Sequence, residues 1–415
     1  MILLYFILLL FIVIKYKSIV TFFLAIQIVS ILGAFFINFK YDIDSFSVFL
    51  NEILKLFLLS LIFLPWINYN KITTIVIVNE LKLKRITYFL IIISVIPFVI
   101  FSLTSIFVFT LIEDINEFKY VEDVSTDFYY NLPLNIKAII FSNYIHVLSI
   151  FLIPLHFYYL SIKRYKLAFV CFLFSLNIIL FGLTYFSRSV FIHYVFIYIS
   201  FLILMFGTLS HKTQGFIKKS LIVVLISIVI YFIDVSTKRF SAETNNYYTD
   251  KIPVTSFIQD PNLYSNFDYL SQWYPNNMIL LQNYKFETFN GQTSLQPLLM
   301  LLSEYNLTSY KQQDYNNFRK KLWPEHYYKF NGLVAYSIYD YGYFFSFILF
   351  LLYYWVVIQI RPRLGRINLY NLFYIVLLIQ IPVLAIFYSA VGAIVMPALL
   401  FIPIYFYLKI SFKKN

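Results

Sequence analysis

The chain has 415 residues, of which 61% are hydrophobic and only 13% charged, with a net charge of +12 and one cysteine. A soluble domain carries about a quarter charged residues, and a mean hydropathy of +0.76 spread over repeated apolar runs excludes one. About 20 helical residues cross a bilayer core, so the fold class is an all-α polytopic membrane protein. The short alternating strands of a membrane β-barrel are absent, and the lone Cys171, inside an apolar run, excludes an intramolecular disulfide and a cysteine metal cluster.

In chain order the apolar runs predict about 11 transmembrane helices, near 1–14, 18–37, 48–67, 86–111, 139–160, 167–184, 189–209, 220–235, 334–359, 368–388 and 391–408. The first, within MILLYFILLLFIVIKYK, lacks a basic leader and a small-residue cleavage site, and is expected to be a retained span rather than a signal peptide. Alternate connections differ in charge. One set carries Lys15 and Lys17, Lys71 and Lys82 to Arg85, Lys163 to Lys166, Lys212 to Lys219, and Arg361 to Arg366. The tail adds Lys409, Lys413 and Lys414, and the single acid of this set is Glu80. The other set holds Asp42 and Asp44, then Glu113, Asp114, Glu117, Glu122, Asp123 and Asp127. By the positive-inside rule the basic set is cytoplasmic, which puts the N-terminus outside and the C-terminus inside. Three regions follow: transmembrane helices over 1–235, an extracytoplasmic loop over 236–333, and further helices with a cytoplasmic tail over 334–415. The loop is far longer than an ordinary connection. Its aromatic and aliphatic clusters argue against disorder, and short helices are expected in it, lying over the outer membrane-facing surface. No internal repeat supports the inverted halves common in transporters.

Charged residues in so apolar a chain are the candidates for chemistry. Arg188, in LTYFSRSVFIHYVF, falls in an outside turn where Ser187 is placed to cap the next helix, so a guanidinium stands beside unpaired backbone N–H groups. The ordinary alternative is an interfacial arginine snorkelling to lipid phosphate. In DVSTKRFS, Asp234 and Lys238 are spaced to pair on one helix face, leaving Arg239 for a ligand. Arg319, Lys320 and Lys321 read as a solvated face. His326, in WPEHYY, is the one histidine outside and a candidate base near neutral pH; the other four belong to packing. Asp340 lies early in the ninth span, where a bare carboxylate is costly. Glu52 and Lys55, three apart, form a structural pair. Walker, GxGxxG, HExxH and GxSxG sequences are all missing, so nucleotide-driven transport, dinucleotide chemistry, zinc proteolysis and hydrolase-elbow chemistry have no local basis.

Taken in order, FSRS (186–189), KRFS (238–241), FNGQTSLQPL (289–298) and NGLVAYSIYDYG (331–342) give a layout that resembles the bacterial oligosaccharide repeat unit polymerases, the O-antigen and capsule polymerases. The likeness is best over about 180–345, and it departs from the family's usual glycine before the serine-arginine pair, where this chain has Phe186. The resemblance implies a glycosyltransferase of the bacterial inner membrane that polymerises repeats carried on undecaprenyl or another polyprenyl diphosphate, without metal or other cofactor. It implies diphosphate binding by Arg188 and Arg239, His326 or Asp340 as catalytic base or its orienting partner, and sugar contacts at Trp273 and the loop tyrosines. The implied partners are the lipid-linked oligosaccharide, the bilayer and a chain-length regulator protein, with no nucleic acid. A ligase that transfers the finished glycan, a flippase or transporter of the same lipid-linked sugar, and an inert scaffold are the competing readings. The transporter predicts ionisable or broken helices near mid-bilayer.

Overall fold

The computed structural model describes residues 2–14, 18–37, 45–69, 72–77, 79–112, 128–239, 252–323, 330–388 and 391–409. Among these the chain is mostly helical. The helices are α1 (Ile2–Ile14), α2 (Val20–Phe36), α3 (Ser45–Phe63), α4 (Glu80–Leu111), α5 (Ile136–Ile145), α6 (Leu152–Ser161), α7 (Tyr165–Ser175), α8 (Asn177–Thr184) and α9 (Arg188–Met205). They continue as α10 (His211–Arg239), α11 (Pro261–Ser271), α12 (Trp273–Gln282), α13 (Gln292–Glu304), α14 (Gln312–Leu322), α15 (Gly332–Gln359), α16 (Leu369–Leu378), α17 (Gln380–Leu384) and α18 (Val391–Lys409). By length and composition 6 of the described stretches are able to cross a membrane: Phe49–Trp66, Glu80–Leu111, Ile136–Ser161, Tyr165–Thr184, Ser189–Thr208 and Gly332–Gln359. Val20–Phe36, Leu369–Leu384 and Val391–Tyr407 are shorter apolar helices of 10–17 residues. The remaining expected spans, 1–14 and 220–235, fall on α1 and within α10.

Two compact units divide the chain, each assembled from three stretches. The first comprises Met1–Asn70, Ala242–Pro362 and Leu377–Met396, and the second Lys71–Ser241, Arg363–Val376 and Pro397–Asn415.

In the second unit, α4 starts where the Asn79 side chain accepts the Lys82 N–H at 3.0 Å, with Glu80 in the first turn facing the positive end of the helix. At about 1.5 Å per residue, its 32 residues outrun a bilayer core, so the charged end projects. There Glu80 pairs with Arg164 at 3.1 Å, and the Lys82 Nζ donates to the Tyr407 carbonyl at 2.9 Å. Beside them β1 (Thr74–Val76) pairs in parallel with β2 (Arg366–Asn368), Thr74 opposite Arg366. Connections that the charge pattern sorts into one set thus meet at one end of this unit.

In the first unit α3 and α15 run in the same direction. Phe57 stacks on Phe347 with centroids 5.8 Å apart, the Trp66 indole N–H donates to the Tyr353 hydroxyl at 2.8 Å, and the Tyr69 hydroxyl donates to the Val357 carbonyl at 2.7 Å. The long polar loop contains four short described helices, α11 to α14. One of them, α12, is not laid on the bundle but built into it. Helix α11 begins with Pro261 after Asp260, whose carboxylate accepts the Leu263 N–H at 2.7 Å. It ends where the Ser30 hydroxyl donates to the Leu270 carbonyl at 2.5 Å. Helix α12 is buried almost throughout, between α2, α3 and α15. Its amides bind the backbone that leads into α15: Asn276 donates to the Phe330 carbonyl at 2.9 Å and Asn277 to the Asn331 carbonyl at 3.0 Å.

The start of α15 is held open for this packing by Gly332, whose φ of +71° suits glycine and whose place a Cβ would fill 2.8 Å from the Trp273 ring and 3.4 Å from the Ala385 carbonyl. Gly332→Ala is expected to lower stability by about 2–5 kcal/mol, from left-handed strain plus overpacking, read as a fall in thermal midpoint in detergent. The matched Gly215→Ala change, in α10 with nothing within 4 Å of the new Cβ, is expected to be neutral or to raise stability by up to about 1 kcal/mol.

Candidate functional site

The turn that carries Arg188 has a defined local cause. Helix α8 closes with two crossed bonds, Phe186 N–H to the Leu183 carbonyl at 3.2 Å and Ser187 N–H to the Gly182 carbonyl at 2.8 Å, the pattern of a helix that ends on a left-handed residue. That residue is Phe186, with φ +45°. Its strain of about 1–2 kcal/mol is offset by burial: Phe186 is 1% exposed, clustered with Val108, Tyr129, Leu132 and Ile139 and set edge-on to Phe109. Ser187 then turns extended and Arg188 takes the first position of α9. The backbone therefore matches the expected cap, but the Ser187 hydroxyl does not cap; it lies 3.2 Å from the Ser189 hydroxyl. Close packing of Gly182 against Val190 and Phe191 leaves no room for a Cβ at ease, the nearest atom being 3.1 Å away. Arg239 is the last residue of α10, which runs beyond the predicted end at 235. The side chains of Arg188, Lys238 and Arg239 lie outside the described atoms, and so does the whole of His326.

Asp340 is fully buried and every part of its carboxylate is engaged. Oδ1 accepts the Thr293 N–H at 3.0 Å, and Oδ2 accepts the Ser294 N–H at 2.9 Å and the Ser294 hydroxyl at 2.6 Å. The two backbone donors are those that a capping side chain at the start of α13 would take, but the capping position is Gly291, which has none. Asp340 supplies that cap from another helix. The Gly291 N–H donates to the Asp340 carbonyl at 3.0 Å and the Phe289 N–H to the Tyr339 carbonyl at 2.7 Å, completing the seam. The expected catalytic base is thus also built in as a cap: it is fully buried, and three donors occupy most of its roughly four acceptor sites. Just after it, α15 breaks at Gly342 (φ 76°, ψ 172°).

Around this seam stands an aromatic core of Phe289, Tyr315, Trp323, Tyr336 and Tyr339. The Tyr315 hydroxyl donates to the Thr293 hydroxyl at 3.0 Å. Burial pushes the phenols of Tyr310, up to about 12, and Tyr315 above their ordinary value, so near neutral pH they donate hydrogen bonds and do not act as bases. Arg319 belongs to this core rather than to a solvated face. Its guanidinium carbon lies 5.6 Å from the Trp323 ring and 6.0 Å from the Tyr336 ring, and Nη2 is 3.5 Å from the Tyr336 hydroxyl, while Lys320 and Lys321 are exposed. The signal for Arg319 was in the chain: Trp323 follows it by one helical turn.

Trp273, expected to face sugar, is 1% exposed, and its indole N–H donates to the Ser30 hydroxyl at 2.5 Å. It is a packed core residue. Neighbouring Tyr274 joins the pair Glu52 and Lys55. Its hydroxyl donates to Glu52 at 2.8 Å, and its ring receives the Lys55 ammonium, 4.8 Å from the centroid. Lys55 is fully buried and its Nζ makes no hydrogen bond. Histidines 146 and 156 pack as expected, His146 stacked on Phe181 and His156 between the Ala168 carbonyl and the Tyr198 hydroxyl. Among the described residues no cluster of His, Cys, Asp or Glu is arranged to hold a metal ion. Trp273, Asp340 and Arg319 belong to the first unit, Arg188 and Arg239 to the second.

Asp340→Asn is expected to lose about 1–3 kcal/mol, because an amide N–H₂ must face a donor, and to open residues 283–323 to protease; loss of activity with unchanged stability would instead mark a catalytic carboxylate. At the turn, stability should rank wild type above Phe186→Gly above Phe186→Ala. Both variants forfeit about 3–5 kcal/mol of buried ring, and glycine alone relieves the left-handed strain. Comparison of the chain with protein-family models, with curated proteins and with solved structures yields no match.

Proposed function

We propose that the protein polymerises lipid-linked oligosaccharide repeats, crossing the bacterial inner membrane about 11 times with its polar segment outside. The observation that carries this reading is the construction of that segment. Helix α11 packs on α2, α12 is buried among apolar helices, and α13 is tied by its N-terminus to α15 just before its break. A rigid aromatic and polar body at the end of a helical bundle is what a transferase needs to hold a membrane-borne glycan.

In the proposed reaction a hydroxyl oxygen of the incoming repeat attacks the anomeric carbon of the growing chain. The bond from that carbon to the polyprenyl diphosphate breaks, the diphosphate leaves with the electron pair, and the hydroxyl proton passes to a base. Arg188 at the first position of α9, beside the unpaired N–H groups of that helix start, holds the departing diphosphate, assisted by Arg239. With Asp340 engaged as a cap, His326 is the base we assign.

A second reading, transport of the same lipid-linked sugar across the membrane, is favoured by two features: the break of α15 at Gly342 and the buried ionisable residues Glu52 and Lys55. The deciding experiment gives purified protein in vesicles a synthetic polyprenyl diphosphate-linked repeat. A ladder of extended products is expected. Movement of the repeat between leaflets with no new glycosidic bond would establish the transporter instead, and extension only onto a separate lipid core would establish a ligase.

Arg188→Ala is expected to cut chain extension by about 10²–10³-fold, the usual cost of one lost donor to a developing anion, with insertion unchanged. Arg188→Lys should recover only part of it, for want of the planar fork. Extension at the wild-type rate in Arg188→Ala would remove the proposed role.

A further inference from the structure

We propose that α13 is a membrane-surface helix, its leucines lying among the acyl chains of the leaflet beside the polar segment while the lysines of α14 engage anionic phospholipid headgroups. The inference needs only a membrane chain and does not rest on the polymerase reading.

Depth comes first. Beyond its break at Gly342, α15 runs on to Gln359, about 26 Å at 1.5 Å per residue, close to the roughly 30 Å of a hydrocarbon core. Phe344 and Phe345, immediately after the break, are 68% and 63% exposed, as lipid-facing residues are. The stack of Phe57 on Phe347 sets the break level with the start of the apolar stretch Phe49–Trp66 in the parallel helix α3. Gly342 therefore marks the membrane boundary on α15. Asp340, two residues earlier, holds the N-terminus of α13, so α13 starts at that boundary.

Composition comes second. Within QTSLQPLLMLLSE five leucines and one methionine make up nearly half of the 13 residues, yet the helix's only buried residue is Ser294. Leu295 and Met300 are 37% and 38% exposed, and Leu307, just past the helix, is 69% exposed. With 13 residues, about 20 Å, the helix is too short to cross a bilayer and too apolar to face water.

Charge is the third observation. Helix α14 is bound to α13 by the Ser303 hydroxyl on the Tyr310 carbonyl at 2.7 Å and by Gln296 on Gln312 at 3.0 Å. It places Lys320 and Lys321 in its last turn, with Lys311 just before its start, all exposed. Exposed lysines on a helix bound to α13 complement anionic headgroups.

The test uses the full chain carrying Met300→Cys, an exposed position, labelled with an environment-sensitive fluorophore and reconstituted in phosphatidylcholine–phosphatidylglycerol vesicles. Cys171 is buried, and labelling of the unsubstituted chain sets the background. The probe is expected to emit as from an apolar medium and to be quenched by phospholipid bearing a spin label high on its acyl chain, more than by one labelled at the chain end or by aqueous iodide. Iodide quenching alone would overturn the proposal. So would protection that appears only when polyprenyl phosphate is added, which would make α13 an isoprenoid site, or only as protein density rises, which would make it a contact between copies. The headgroup part is read from the same probe in Lys320→Gln/Lys321→Gln. Removing phosphatidylglycerol should weaken lipid quenching in the parent and leave the double variant unchanged; a parent indifferent to phosphatidylglycerol would overturn that part.

Discussion

The carboxylate of Asp340 joins α13 of the polar segment to the long apolar helix α15. Asp340 sits in the first turns of a long apolar helix, where an unaccompanied charge is expensive, and it is tolerated because three donors from α13 converge on it. The bond is reciprocal. Helix α13 begins at a glycine that offers no side-chain cap; its first N–H, of Gln292, goes to the Phe289 carbonyl, and the next two, of Thr293 and Ser294, go to Asp340. The start of α13 is therefore referred to one point on α15.

The same reciprocity governs α12. Polar side chains in an apolar bundle are costly unless each finds a partner, and the amides of Asn276 and Asn277 find theirs in the carbonyls of residues 330 and 331. Irregular backbone at such depth is tolerated only where protein surrounds it, and α12 is what surrounds it. Lys55 is a different case, its ammonium held against the Tyr274 ring with no acceptor. Breaking that arrangement by removing Glu52 or Tyr274 would leave a buried charge uncompensated.

Much of the fold was legible because a bilayer imposes a simple rule on composition. The apolar runs at 48–67, 86–111 and 334–359 coincide with α3, α4 and α15. What local pattern does not carry is partnership at a distance. Asp340 reads as a bare intramembrane acid because its donors lie 46 and 47 residues away. Trp273 reads as an exposed platform because the Ser30 that receives its N–H is 243 residues away. A lone glycine in an apolar run reads as tolerated rather than as a break, so Gly342 passed unnoticed. At Phe186 the residue type pointed away from the left-handed turn that the chain nevertheless makes, because tertiary packing outweighs a backbone preference of this size.

The interleaving of the two units bears on biosynthesis. Glu52 and Lys55 leave the ribosome in the third helix, whereas Tyr274 follows Glu52 by 222 residues. At roughly 5–20 residues per second the acid and the amine wait on the order of 10–40 s in or near lipid before the aromatic ring that joins them is made. A nascent chain holding two ionisable groups for that long needs shelter from the acyl environment. The insertion machinery, rather than the finished bundle, must provide it.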